Sequence, residues 1–346
     1  MDSLMSIILI AIGSMCAASF YVPIKKIKEW AWESYWIVQG VISWIIAPWI
    51  FAYLTVPNLG EVLSNSPASA VWGAIIFGAL WGVGGLTFGL SMRYLGVGLG
   101  QSVALGFTAA LGTLIPPFVS GRNLFATHEG RLILIGVSIC VVGIAIVGYA
   151  GVLRSRNMPE EDRKKAIKDF ALKKGLLIAV LSGLMSACFN YGINGIPGVI
   201  DAGYAIQKVA AEYNTDPLFV VNPAYIFVMF GGFLTNFIYC MYLNFKNKTF
   251  RDYYSVDKEV LVNNLLFCLL GGTLWYLQFF FFGMGQSKLS AEMFVFGWSI
   301  LMALNILFSN VWGILLKEWK GAGTKTISTL ILGLVLLILS TFVIKL

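Results

Sequence analysis

The chain has 346 residues, of which 58% are apolar and only 12% charged, with a mean hydropathy of +0.80. Soluble domains carry roughly 25% charged residues, so a water-soluble enzyme or binding module is excluded and an integral membrane protein is expected. The net charge of +7 does not point to nucleic acid, because the basic residues sit in short connections between apolar runs.

Ten apolar runs follow one another, at 4–24, 34–55, 68–93, 97–119, 131–149, 175–195, 219–244, 260–284, 291–316 and 326–344. Each is long enough to cross a bilayer as a helix, which satisfies its own backbone in lipid. No basic stretch of the kind that opens a cleaved signal peptide precedes the first run, so it is expected to remain as the first span. Lys and Arg are unevenly shared: 19 of the 24 lie after the odd-numbered runs. That asymmetry predicts cytoplasmic odd connections and both termini outside.

The first run contains Gly-Ser-Met-Cys-Ala-Ala-Ser-Phe-Tyr, from Gly13 to Tyr21. The sixth contains Gly-Leu-Met-Ser-Ala-Cys-Phe-Asn-Tyr, from Gly183 to Tyr191. A second echo links the third run to the eighth. Leu80-Trp81 precedes Phe88-Gly89 with the same spacing that separates Leu274-Trp275 from Phe282-Gly283. The expected fold class is therefore all-α, with ten transmembrane helices in two five-helix repeats. Residues 1–150 form the first repeat, 151–174 a charged linker and 175–346 the second. An odd number of helices per repeat inverts the second copy, as in many secondary transporters.

Within the third run, Gly78, Gly82, Gly85 and Gly89 share one helical face, suited to close packing of a neighbour. Between the sixth and seventh runs, 199–216 reads either as a short amphipathic helix over the outer mouth or as a plain loop. Trp275, Tyr276 and Gln278 stand together in the middle of the eighth run. Aromatic residues with polar tips usually mark the membrane surface, and an amide at that depth needs a partner or a watery cavity. Trp275 and Gln278 share a face, and the repeat sets Trp81 opposite them. Further polar or aromatic candidates near helix centres are Thr87, Gln101, Thr108, Asn190, Asn194, Trp298 and Asn305. Helix–helix hydrogen bonding or core packing is the competing reading for each.

Carboxylates are scarce at depth. Glu33 and Glu292 come closest, both at helix starts, where they complement the helix dipole, and Ser290 could cap the ninth helix. They are the candidates for proton coupling. Cys16, Cys140, Cys188, Cys240 and Cys268 lie within apolar runs without a C-x-x-C pair. They and the lone His128, in a connection, predict neither a disulfide frame nor a metal centre. No cofactor is expected.

Several segments together resemble the L-rhamnose–proton symporter family of the drug/metabolite transporter superfamily. They are Phe20-Tyr-Val-Pro-Ile-Lys-Lys-Ile-Lys-Glu-Trp-Ala-Trp-Glu33, Ser91-Met-Arg-Tyr-Leu-Gly96, Asp216-Pro-Leu218, Trp275-Tyr-Leu-Gln-Phe-Phe-Phe281 and Leu316-Lys-Glu-Trp319. The matches run in order from end to end. The resemblance implies ten helices and proton-driven uptake of L-rhamnose or a related deoxy sugar across a bacterial inner membrane. The enterobacterial pattern has asparagines where this chain has Gly85 and Thr87, and a histidine near Ile300 and Leu301; those departures bear on the sugar. The expected partners are thus a monosaccharide, a proton and the bilayer, with no nucleic acid. A facilitator or exporter of another metabolite is the nearest alternative. A membrane-embedded enzyme would need a nucleophile–base set within the helices, and a channel would need a charged ring or filter.

Overall fold

In the computed structural model the described residues are 2–95, 97–157, 171–196, 198–291, 293–317 and 319–343. They contain ten helices long and apolar enough to cross a membrane: α1 Leu4–Ile24, α2 Trp32–Thr55, α3 Ala68–Leu95, α4 Leu99–Val119, α5 His128–Arg156, α6 Leu172–Asn194, α7 Asn222–Asn247, α8 Lys258–Gln286, α9 Phe294–Leu315 and α10 Thr324–Phe342. Side chains such as Tyr53, Leu54, Trp72, Ile238, Leu266 and Leu339 are exposed on the outer faces, which suits a bundle whose solvent is lipid. The five cysteines are free, and no group of His, Cys, Asp or Glu suited to a metal occurs among the described residues.

The packing joins the two halves. Helix α1 lies on α8 and α9, and α6 lies on α3 and α4. Helix α2 meets α7 and α8, while α7 meets α2 and α3. Helices α5 and α10 pair with each other. Exchanging every helix for the one five places along returns the same set of pairings. Glycine makes the closest approaches. A Cβ on Gly13 would lie 2.6 Å from the Gln278 carbonyl oxygen, so α1 and α8 touch at backbone distance.

Helix α2 is not regular. Its stretch Val41–Ile46 is π-helical, and the Ala47 amide bonds the Ile42 carbonyl. The cause is in the sequence. Pro48 has no N–H for the Trp44 carbonyl and its ring crowds that oxygen, so the ladder widens there.

Residues Ala202–Glu212 form a short helix. Ala202, Gly203, Ile206 and Ala210 are buried, and the helix rests on α3, α6 and α7. The helical reading of 199–216 is therefore the correct one. Ser290 accepts the Met293 amide at 3.3 Å, the contact expected of a cap before α9.

Candidate functional site

Aromatic residues of the first five helices and of the last five meet inside the bundle. The rings of Trp81 on α3 and Trp275 on α8 lie 5.5 Å apart. They occupy the corresponding positions of the Leu-Trp echo. Trp44 on α2 joins them edge-on, 6.2 Å from Trp81 and 5.5 Å from Trp275. Its indole folds back over Gly40, where a Cβ would lie 2.7 Å from the Trp44 ring. Phe279 stands 5.0 Å from Trp275, and Phe189 of α6 packs 4.1 Å from Phe279. Trp81 and Trp275 remain partly accessible while Trp44 and Phe189 are buried. Such a cluster offers broad apolar faces with indole N–H tips.

The other candidates divide. Trp298 is buried and its indole donates to the Thr108 carbonyl at 3.0 Å, binding α9 to α4. Asn190 donates to the Gly112 carbonyl at 2.9 Å, and Asn194 donates to Asn190 at 2.7 Å and to Gln286 at 3.4 Å. Gln286 in turn donates to the Phe294 carbonyl at 3.2 Å. These amides tie α4, α6, α8 and α9 together, so for Trp298, Thr108 and Asn190 the helix–helix bond is the role on display. Tyr276 is buried beside Phe51, with its hydroxyl unpartnered. The carbonyl oxygen of Gln278 faces Gly13 of α1, and its side chain is buried. Gln278 thus sits on the α1 side of Trp275 and is not among the residues of the aromatic cluster. Thr87 turns its hydroxyl back to the Val83 carbonyl at 2.8 Å. Gln101 is half-buried early in α4 and outside the aromatic core, and Asn305 carries a buried, unpartnered Oδ1.

The glycine stripe of α3 is split. Gly78 and Gly82 pack against Val228 and Thr235 of α7, whereas a Cβ on Gly85 or Gly89 would meet nothing within 4 Å. Both of the latter are exposed, and Gly85 lies one helical turn beyond Trp81 on the same helix.

Glu292 lies outside the described residues. Glu33 lies within them, in the first turn of α2 and buried. Its Oε1 accepts from Asn247 and Thr249, each at 2.9 Å. The Thr249 hydroxyl also lies 2.9 Å from Asn244 Oδ1. That oxygen is 3.4 Å from the Ser34 hydroxyl, which is 2.7 Å from Asp252 Oδ2. A line of oxygens therefore runs from Glu33 to Asp252 across the α2–α7 junction. Asn244 donates to the Cys240 carbonyl at 3.1 Å and to the Tyr253 hydroxyl at 3.3 Å, which orients its amide. Burial, the larger influence, raises the Tyr253 phenol above its ordinary range, so it stays protonated.

Sequence reasoning missed Trp44, Gln39, Phe189 and Asp252. Pro48 was the available signal for Trp44, since it marks where the ladder of α2 must break. Phe189 and Asp252 carry no local signal, because their roles depend on what other helices bring to them.

The family model described as L-rhamnose-proton symport protein (RhaT) matches residues 2–346. A Cronobacter sakazakii protein named L-rhamnose-proton symporter is 38% identical over 339 residues, 97% of this chain and 95% of its own length. Proteins of the same name from Yersinia pestis and Yersinia pseudotuberculosis are 36% identical over 97% of this chain and 95% of theirs.

Proposed function

We infer, since this chain belongs to the L-rhamnose-proton symport family, that it carries L-rhamnose across the membrane together with a proton. It is a multi-pass membrane transporter and not an enzyme. The observation that carries the site is the meeting of Trp81 and Trp275 at 5.5 Å, one from each half. A sugar offers C–H faces to aromatic rings and hydroxyls to polar groups. Accessible indoles beside the open space at Gly85 meet the first need.

The helix pairings, unchanged on exchanging the halves, support two inverted repeats over 1–150 and 175–346, with 151–174 between them. Alternating exposure then amounts to rocking one half against the other about the tryptophans. The Lys and Arg bias supports cytoplasmic odd connections and both termini periplasmic, and the bacterial relatives support residence in an inner membrane. An impermeant thiol reagent that labels an Asn157→Cys variant in whole cells would reverse this orientation.

For the proton, Glu33 is the residue of choice. Four oxygen–oxygen contacts link Glu33, Thr249, Asn244, Ser34 and Asp252, and the two hydroxyls supply one hydrogen each. Two hydrogens for four contacts leave the line short, which favours Glu33 as the place where a transported proton is taken up.

The test is uptake of labelled L-rhamnose into inside-out and right-side-out vesicles, with and without an imposed proton gradient. Gradient-dependent accumulation of L-rhamnose is expected. Uptake indifferent to the gradient, or driven uptake of an unrelated solute alone, overturns the reading. Glu33→Gln is expected to exchange sugar across the membrane but not to concentrate it. Concentration at the parental level would move the proton elsewhere, with Glu292 the next to test.

A further inference from the structure

On the reading just given, that the sugar binds at the Trp81–Trp275 pair, we propose that Gln39 and Trp44 of α2 recognise two of its hydroxyl groups. Buried polar atoms nearly always have partners, and an unmade bond costs more than a made one returns. Gln39 is 1% exposed and Trp44 3% exposed, yet Gln39 Oε1 and Trp44 Nε1 have no hydrogen-bond partner. One is an acceptor and the other a donor only. Both face α8. Gln39 Oε1 would lie 3.7 Å from a Cβ on Gly271, and the Trp44 ring stands 5.5 Å from that of Trp275. Gly271 and Trp275 are four residues apart, about 6 Å along the axis. An unpaired acceptor and an unpaired donor are therefore both turned toward α8 beside the aromatic pair, one at Gly271 and the other at Trp275.

The arrangement is built into α2. Pro48 displaces the ladder at Trp44, the π-helical stretch Val41–Ile46 begins two residues after Gln39 and contains Trp44, and Gly40 leaves room for the indole to fold back. A third unpartnered polar atom, the Tyr276 hydroxyl, lies farther along the same α2–α8 seam. No such atom occurs on α3 or α7 among the described residues. When the seam parts, two sugar hydroxyls supply the missing partners, while the ring and methyl carbons lie against the tryptophans.

The experiment measures equilibrium binding of labelled L-rhamnose to the purified full-length parent, Trp44→Phe and Gln39→Met proteins, and the thermal stability of each without sugar. Trp44→Phe keeps an aromatic face and removes the N–H; Gln39→Met keeps the length and removes the amide. Each is expected to weaken binding about three- to tenfold, the worth of one hydrogen bond. Trp44→Phe is expected to lose only the packing of a smaller ring in a buried site, and Gln39→Met, which removes the unpartnered Oε1 together with Nε2, no more stability without sugar than about one neutral hydrogen bond. One monodeoxy analogue of L-rhamnose is expected to bind Trp44→Phe as well as it binds the parent. Parental affinity in both variants overturns the proposal. So does a loss of affinity in Gln39→Met matched by a loss of its unliganded stability beyond one hydrogen bond, which would mean that bound water or packing uses these atoms. Should Trp44→Phe not fold, Gln39→Met decides by the same criteria. A parent that does not bind L-rhamnose overturns the proposed function itself, a result distinct from parental affinity in the variants.

Discussion

Two seams of this protein are built from corresponding helices yet packed to different standards. In the α3–α7 seam, Gly78 abuts the Val228 carbonyl and Gly231 abuts that of Ile75, so backbone rests on backbone. Thr235 donates across it to the Ala79 carbonyl at 2.9 Å, and Asn236 both donates to Gly232 and accepts from Trp36. In the α2–α8 seam, Gly272 holds the position equivalent to Gly78, three residues before the tryptophan. There a Cβ would lie 2.9 Å from the Gln39 carbonyl, a slighter intrusion. That seam also keeps Gln39, Trp44 and Tyr276 with unpaired atoms. A fully satisfied seam is a scaffold. A seam with polar atoms left over is where a ligand or a change of conformation can be accommodated.

The largest expected effect breaks the scaffold. Gly78→Ala drives a methyl group into the Val228 carbonyl, and neither backbone can retreat without displacing a helix. Overpacking of this kind costs about 1–3 kcal/mol and more where nothing yields, so little folded protein should survive detergent extraction and size-exclusion chromatography. Next comes the shared centre. Trp275→Ala should fold, since the ring is only partly buried, and lose more than about tenfold in L-rhamnose affinity, because stacking area and pocket shape go together; equilibrium binding measures it. Parental affinity would remove the tryptophan pair from the site.

Gly272→Ala sharpens the comparison most directly. The looser seam should absorb the methyl group, giving folded protein whose transport rate falls a few-fold in reconstituted vesicles. If it is as poorly folded as Gly78→Ala, the two seams are equally tight and the distinction fails. The smallest effect is that of Thr235→Val, which loses one neutral hydrogen bond in the scaffold. About 1 kcal/mol of stability is expected to go, seen as a modest drop in thermal midpoint with uptake unchanged.

Much of the fold was legible in the residues. Hydropathy marks all ten spans because a helix in lipid must satisfy its backbone within itself, so its existence is a local property. The echo of Leu80-Trp81 in Leu274-Trp275 named the two tryptophans whose rings the structure brings to 5.5 Å. Trp298 and Asn190 were legible as polar groups at depth but not as helix ties, because a partner carbonyl on another helix leaves no trace in the local pattern. Gln278 shares a helical face with Trp275, but the width of that face covers both the centre and the α1 contact, and periodicity cannot choose between them.

The sequence by itself determined that this is a ten-helix membrane protein and which tryptophans face one another. Only the tertiary structure decided that Trp44 completes their cluster, that Glu33 joins Asp252 through a line of hydroxyls and an amide, and that α2–α8 keeps unpaired atoms while α3 and α7 keep none among the described residues. The physical reason is range. Spanning is decided within twenty or so consecutive residues by transfer into lipid. Which polar atoms find partners is decided between residues hundreds of positions apart, by how closely glycine lets their helices approach.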